Sequence, residues 1–143
     1  MESTLLGLIL DTSVLVAAER RGQRVDQLLE QIRAEMGPEV KLAVSAITLA
    51  ELIHGFHRAS TDVLRLNRRS FIDDLKQSVP VHFITDQTSE IIGRVGAEQA
   101  AKGVTVPFDD LLIGATALEH GYAVATGNLR HFNLIPGLDV RQL

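Results

Sequence analysis

The chain opens with an apolar run, LLGLIL (5–10), short enough for a strand buried on both faces and closed by Asp11. The period then changes. A short helix is expected over Val14–Glu19, and Val25, Leu28, Leu29, Ile32 and Met36 recur at helical spacing until Gly37 and Pro38 stop the pattern. VKLAVS (40–45) reads as a second strand, followed by helices from Ala46 to about Ala59 and over Asp62–Gln77, the latter with a basic face. VPVHFIT (79–85) reads as a third strand, and Asp86–Lys102 as a helix closed by Gly103. Phe108–His120 is a helix apolar almost all round and closed by Gly121. YAVAT (122–126) is a fourth strand and LDVRQ (138–142) a short fifth.

Strands separated by helices predict the α/β class. The expected architecture is a three-layer α/β/α sandwich around a mostly parallel sheet of four to five strands. In such sheets ligands collect beyond the carboxyl ends of the strands. Asp11 falls there after the first strand, and Ser45 after the second, with Glu51 a turn and a half into the next helix. Thr85 and Asp86 follow the third strand, and Thr126, Gly127 and Asn128 the fourth. Asp109 and Asp110 begin the helix that leads into the fourth strand.

Composition narrows the class. A length of 143 residues predicts one compact domain, and 45% hydrophobic with 22% charged residues is ordinary for a globular chain. The absence of cysteine excludes disulfides and thiolate metal sites and fits a reducing compartment. MESTLLGLIL carries an acid where a signal peptide needs basic residues, and no stretch approaches the roughly 20 apolar residues of a membrane span. The expectation is a cytoplasmic protein with no membrane contact. A net charge of −4 gives no overall attraction to nucleic acid. Local basic groups exist at Arg20, Arg21 and Arg24 and at Arg58, Arg65, Arg68 and Arg69, and either decorate solvated helix faces or form a patch.

Each acid has a structural and a chemical reading. Asp11 is either the N-cap of the following helix or a functional carboxylate, and Ser13 either a cap or its hydrogen-bond partner. Thr48 and Glu51 fit a capping box if the helix starts at Thr48. If Ser45 caps it instead, Glu51 is interior among Ala50, Leu52 and Ile53, where a carboxylate costs free energy unless paired or metal-bound. His54 shares the helix face of Glu51, but di-iron bundles use that Glu-x-x-His pattern twice and this chain offers it once. It reads as a partly buried helix residue or a neighbour of the site. Asp109 and Asp110 each favour a helix start by about 0.3–1 kcal/mol. They point about 100° apart beside Leu111, Leu112 and Ile113, so at least one should face something that compensates it. Asn128 suits a tight turn through TGN.

Taken together, carboxylates at the strand ends of one sheet repel and raise each other's pKa unless a cation is present. Oxygen donors without thiolates select hard ions, Mg²⁺ or Mn²⁺, and such a pocket points to phosphoester chemistry.

The ordered set LILDTSVLV, SAITLAELIHG, PFDDLLIGATALEHGYAVATGNLRHF and LIPGLDV resembles PIN-domain ribonucleases, and in a chain this short, VapC-type toxins of bacterial toxin–antitoxin pairs. The resemblance covers essentially the whole chain. It implies a metal-dependent endoribonuclease that cleaves single-stranded regions of tRNA or rRNA by metal-activated water. Asp11, Glu51 and Asp110 match the family's first three acids and would hold Mg²⁺ (or Mn²⁺) and its water, with Asp109 accessory or a cap. Asn128 stands at the family's fourth acidic position, a departure that implies one tightly bound ion, and His131 stands where many relatives carry another acid. Thr126 and Asn128 would orient water or phosphate, while Arg20, Arg21 and Arg130 would contact RNA phosphates. A homodimer and a VapB-type antitoxin are the implied partners. Three other readings differ by feature. A haloacid-dehalogenase phosphatase needs Asp-x-Asp where this chain has Asp11-Thr12-Ser13. A receiver-like module needs an acid directly after the third strand, where Thr85 stands. A catalytically weak PIN-fold binding protein would keep the fold without the chemistry.

Overall fold

The computed structural model describes residues 5–143; the first four residues of the leader reading lie outside the described residues. The elements follow the order β1 (Gly7–Leu10), α1 (Thr12–Arg20), α2 (Val25–Met36), β2 (Lys41–Ser45), α3 (Ala46–His57), α4 (Asp62–Ser78), β3 (Val81–His82), α5 (Asp86–Ala101), α6 (Phe108–His120), β4 (Ala123–Thr126), α7 (Leu129–Phe132) and β5 (Val140–Gln142).

All five strands pair in parallel in the order β3-β2-β1-β4-β5. Strand alternation divides the core into two layers. Leu8, Leu10, Leu42, Val44, Ala123 and Ala125 pack against α1 to α4, while Ile9, Ala43 and Val124 pack against α5, α6 and α7. Both faces are therefore covered, which is why the strands read as continuous apolar runs. The chain winds outward from β1 through β2 to β3, then returns across it to β4. The two strands on either side of that reversal are β1 and β4, paired through Leu8↔Ala123 and Leu10↔Ala125. Their carboxyl ends frame the crevice in which such sheets bind ligands.

Two elements differ from the sequence expectation. The third strand is two residues long rather than spanning 79–85. Pro80 has no N–H to pair, and by Thr85 the chain is already capping α5, with the Thr85 hydroxyl accepting from Thr88 N. The TGN stretch is more than a turn. Asn128 opens α7, a single helical turn pinned by Phe132, which is fully buried. Gly103 and Gly121, expected to end helices, both adopt the left-handed conformation that glycine reaches without a Cβ penalty. Among the described residues no helix is long and apolar enough to cross a membrane.

Candidate active site

Asp11 ends β1 and occupies the N-cap position of α1, yet its side chain makes no capping bond. Instead, Ser13 Oγ donates to its Oδ2 at 2.7 Å and Thr126 Oγ1 to the same oxygen at 2.8 Å. Only 5% of Asp11 is exposed, so these bonds hold a buried carboxylate at the β1–β4 reversal. The Asp11 N–H donates to Ala125 O, which fixes the backbone beside Thr126. Gly127 N donates to Ser13 Oγ at 3.1 Å, and Asn128 N to Thr126 Oγ1 at 2.8 Å. The two strand ends are thus laced together through hydroxyls.

Ser45 caps α3 by accepting from Ile47 N, so the capping box between Thr48 and Glu51 does not form and Glu51 is interior to the helix. Its partner is Thr12, whose hydroxyl lies 2.9 Å from Glu51 Oε1 and 3.0 Å from Thr48 Oγ1. Having one proton, Thr12 gives it to the carboxylate. Burial pushes the Glu51 pKa above its usual 4.5. The Thr12 bond opposes this, and the negative charges of Asp109 and Asp11 add to it.

Asp109 and Asp110 begin α6 after Pro107 and divide their duties. Asp109 is exposed, and its Oδ1 accepts from Asp110 N at 3.0 Å, the helix-start role expected for it. It also faces Glu51 and raises the pKa of both Glu51 and Asp110, so it belongs to the charge cluster as well. The Asp110 side chain is 14% exposed, with Oδ2 2.8 Å from His131 Nδ1. Burial and then Asp109 raise its pKa above 3.8, Asp11 adds to this, and the His131 bond works the other way. Asn128 Nδ2 lies 3.1 Å from the same ring nitrogen.

The fold therefore brings Asp11, Ser13, Glu51, Asp109, Asp110, Thr126 and Asn128 to one end of the sheet. Thr12, Thr48 and His131 join them. The sequence held a signal for Thr12, a hydroxyl beside the acid that closes the first strand, but none for its pairing with Glu51. His54, expected partly buried or beside the site, is exposed. Of the arginines, Arg21 lines a cleft with Ser13, Gly127 and Leu143, and Arg130 is exposed on α7 two positions from Asn128. Arg20 lies about 13 Å along α1 from Asp11 at the rise of an α-helix. It lines a second cleft with Leu52, Gly55 and Arg68. Arg65 and Arg69 pair with Asp62 and Asp73 of their own helix, which is the solvated-face reading of that group.

The donor set is carboxylate and hydroxyl oxygen with one imidazole, a chemistry suited to a hard divalent ion. Among the described residues no three His, Asp or Glu side chains stand together as a complete ligand set. An ion here would rest on one or two carboxylates and water, the common mode for Mg²⁺.

The raised acids give a test of stability. A carboxyl with a higher pKa folded than unfolded holds its proton more tightly in the native state, so ionisation penalises the fold. For Glu51 the penalty grows as pH rises past 4.5 and is complete above the raised value. In chelator, Glu51→Gln keeps an oxygen for Thr12 and removes the charge. Its melting temperature should match wild type below pH 4.5 and exceed it at neutral pH by on the order of a degree or two, given partial exposure. A variant less stable than wild type at neutral pH would contradict the raised Glu51 pKa.

The PIN domain family matches residues 8–137. Ribonuclease VapC1 of Rickettsia felis is 30% identical over 135 residues, 94% of this chain and 95% of the relative. The tRNA(fMet)-specific endonuclease VapC of Salmonella typhimurium is 31% identical over 101 residues, 70% of this chain and 74% of the relative. Among solved structures, the DNA-bound VapBC from Salmonella typhimurium superposes with a TM-score of 0.80 at 25% identity, covering 96% of this chain and 98% of that one. A five-stranded parallel sheet with acids at its central reversal, and whole-length similarity to these proteins, make the chain a member of the PIN-domain family, in its VapC branch.

Proposed function

We propose that the chain is an endoribonuclease acting as a single PIN domain, the toxin of a type II toxin–antitoxin pair. It hydrolyses phosphodiester bonds in single-stranded regions of RNA with Mg²⁺ or Mn²⁺. The observation that carries this is the gathering of Asp11, Glu51, Asp109 and Asp110 at one end of the sheet, where burial and then their shared negative charge raise the pKa of Glu51 and Asp110 and a cation would offset that charge. A divalent ion bound there supplies Lewis-acid polarisation of the phosphate and a bound water of lowered pKa.

The chain's own residues do the rest. Ser13 and Thr126 hold Asp11 by Oδ2, so its carboxylate presents one fixed direction to the crevice. Thr12 occupies Glu51 Oε1 and leaves Oε2 to take the proton from the attacking water. Burial raises the Glu51 pKa, which suits a carboxylate that takes up a proton during the reaction. Water activated in this way would attack phosphorus, and the leaving ribose oxygen would take its proton from solvent. Arg21, in the cleft with Ser13, and Arg130, two positions from Asn128, supply phosphate contacts that a chain of net charge −4 lacks overall, with Arg20 further along α1.

The tRNA specificity named for the Salmonella relative makes tRNA the first substrate class to test, with rRNA loops second. The VapBC assemblies among the structural neighbours support a VapB-type antitoxin as partner, and a homodimer of this chain in the cytoplasm is part of the same reading. Purified chain freed of antitoxin, incubated with a tRNA and rRNA mixture, should give discrete endonucleolytic cuts with Mn²⁺ or Mg²⁺ and none with EDTA. Cleavage undiminished by EDTA would sink the metal-dependent reading. No cleavage under any condition by folded protein would favour the binding-only alternative.

A further inference from the structure

We propose that Asn128 and His131 are positioning residues rather than direct ligands. His131 holds the Asp110 carboxylate by one oxygen, with Asn128 against the same ring nitrogen, and so sets how tightly the acid cluster takes a divalent cation. This rests on the reading of the cluster as a cation site.

His131 Nδ1 has two neighbours, Asp110 Oδ2 at 2.8 Å and the Asn128 amide at 3.1 Å. An ionised carboxylate has lone pairs and no proton, so the bond to Asp110 requires the proton on Nδ1. A protonated Nδ1 cannot also accept from an amide N–H. Asn128 can then meet that nitrogen only with its amide oxygen turned towards it, as a second and longer acceptor of the same proton. In that arrangement the amide is engaged with the imidazole. The residue at the fourth acidic position then acts on the cation through His131 and Asp110.

The same turn of helix reaches the other side of the cluster. Asn128 N donates to Thr126 Oγ1, and that hydroxyl donates to Asp11 Oδ2. Phe132, adjacent to His131, is fully buried and fixes α7 against the sheet. One anchored helical turn thus fixes an oxygen of both Asp110 and Asp11. A carboxylate already held in one rotamer does not lose that freedom when it binds a cation. Groups that orient ligands in this way typically change metal affinity by about 10–100-fold.

The test uses the full chain and Mn²⁺, with binding read by electron paramagnetic resonance or calorimetry. His131→Ala should weaken Mn²⁺ binding about 10–100-fold. His131→Asn, which returns an N–H close to where Nδ1 stands, should recover most of it. Asn128→Ala should show a smaller loss. In the metal-free protein, ¹H–¹⁵N spectra of the imidazole should place the His131 proton on Nδ1, a readout independent of activity. Melting temperatures of the metal-free variants close to wild type would establish that affinity, not folding, has changed. If wild type binds Mn²⁺ and His131→Ala binds it equally well, or the proton resides on Nε2, the positioning role is overturned while the nuclease reading stands. If wild type binds no Mn²⁺, both fail together.

Discussion

Replacing Asp11 with asparagine should lower RNA cleavage about a thousandfold and leave the fold intact. The substitution keeps the shape of the side chain, and the Ser13 and Thr126 hydroxyls can rotate to meet either amide end. Charge is what changes. Asp11 is the most buried carboxylate of the cluster and sits at the reversal between β1 and β4, where ligands gather in such sheets. Removing a negative charge beside a divalent ion forfeits several kcal/mol of transition-state stabilisation, and each 1.36 kcal/mol is tenfold in rate. Single-turnover cleavage of tRNA, compared at equal Mn²⁺, measures it. A loss smaller than tenfold, with circular dichroism unchanged, would remove Asp11 from the catalytic set.

The largest stability effect is expected at Phe132. Its ring is wholly excluded from solvent among Ile9, Val124 and Ile135, and truncating such a ring to alanine costs about 3–5 kcal/mol. Against a total of about 5–15 kcal/mol for an ordinary domain, Phe132→Ala should bring the chain close to unfolding at physiological temperature. Urea midpoints at constant slope report the change. Phe132→Leu, which keeps most of the volume, should cost far less. The consequence extends to the site, because Phe132 anchors the turn that carries Asn128 and His131. Folded Phe132→Ala molecules should therefore cleave RNA poorly as well. A cost below about 1 kcal/mol would mean that α7 is not held by its core contact.

Asp109 illustrates how far sequence reasoning reached into the site. Two adjacent acids before an apolar helix were recognisable as a conflict, and the helix-start role assigned to Asp109 is visible in its bond to Asp110 N. Its second role, pressing negative charge on Glu51, depends on how α6 and α3 meet across the sheet and had no local signature. Glu51 itself was legible as an anomaly, a carboxylate among apolar neighbours. Its partner Thr12 lies 39 positions away along the chain.

The sequence by itself determined the elements, the parallel sheet and the strand ends where the acids lie. These are local properties, because hydrophobic period reports the conformation of a few consecutive residues and which of their faces is covered. The short β3, the single turn of α7 and the pairing of side chains were decided by the tertiary structure. Thr126 and Asp11 share a hydrogen bond across 115 positions because β1 and β4 lie side by side in register. His131 meets Asp110 because Phe132 is drawn into a core built by other elements. Contacts of that kind follow from which surfaces bury each other, and no window of sequence contains both partners.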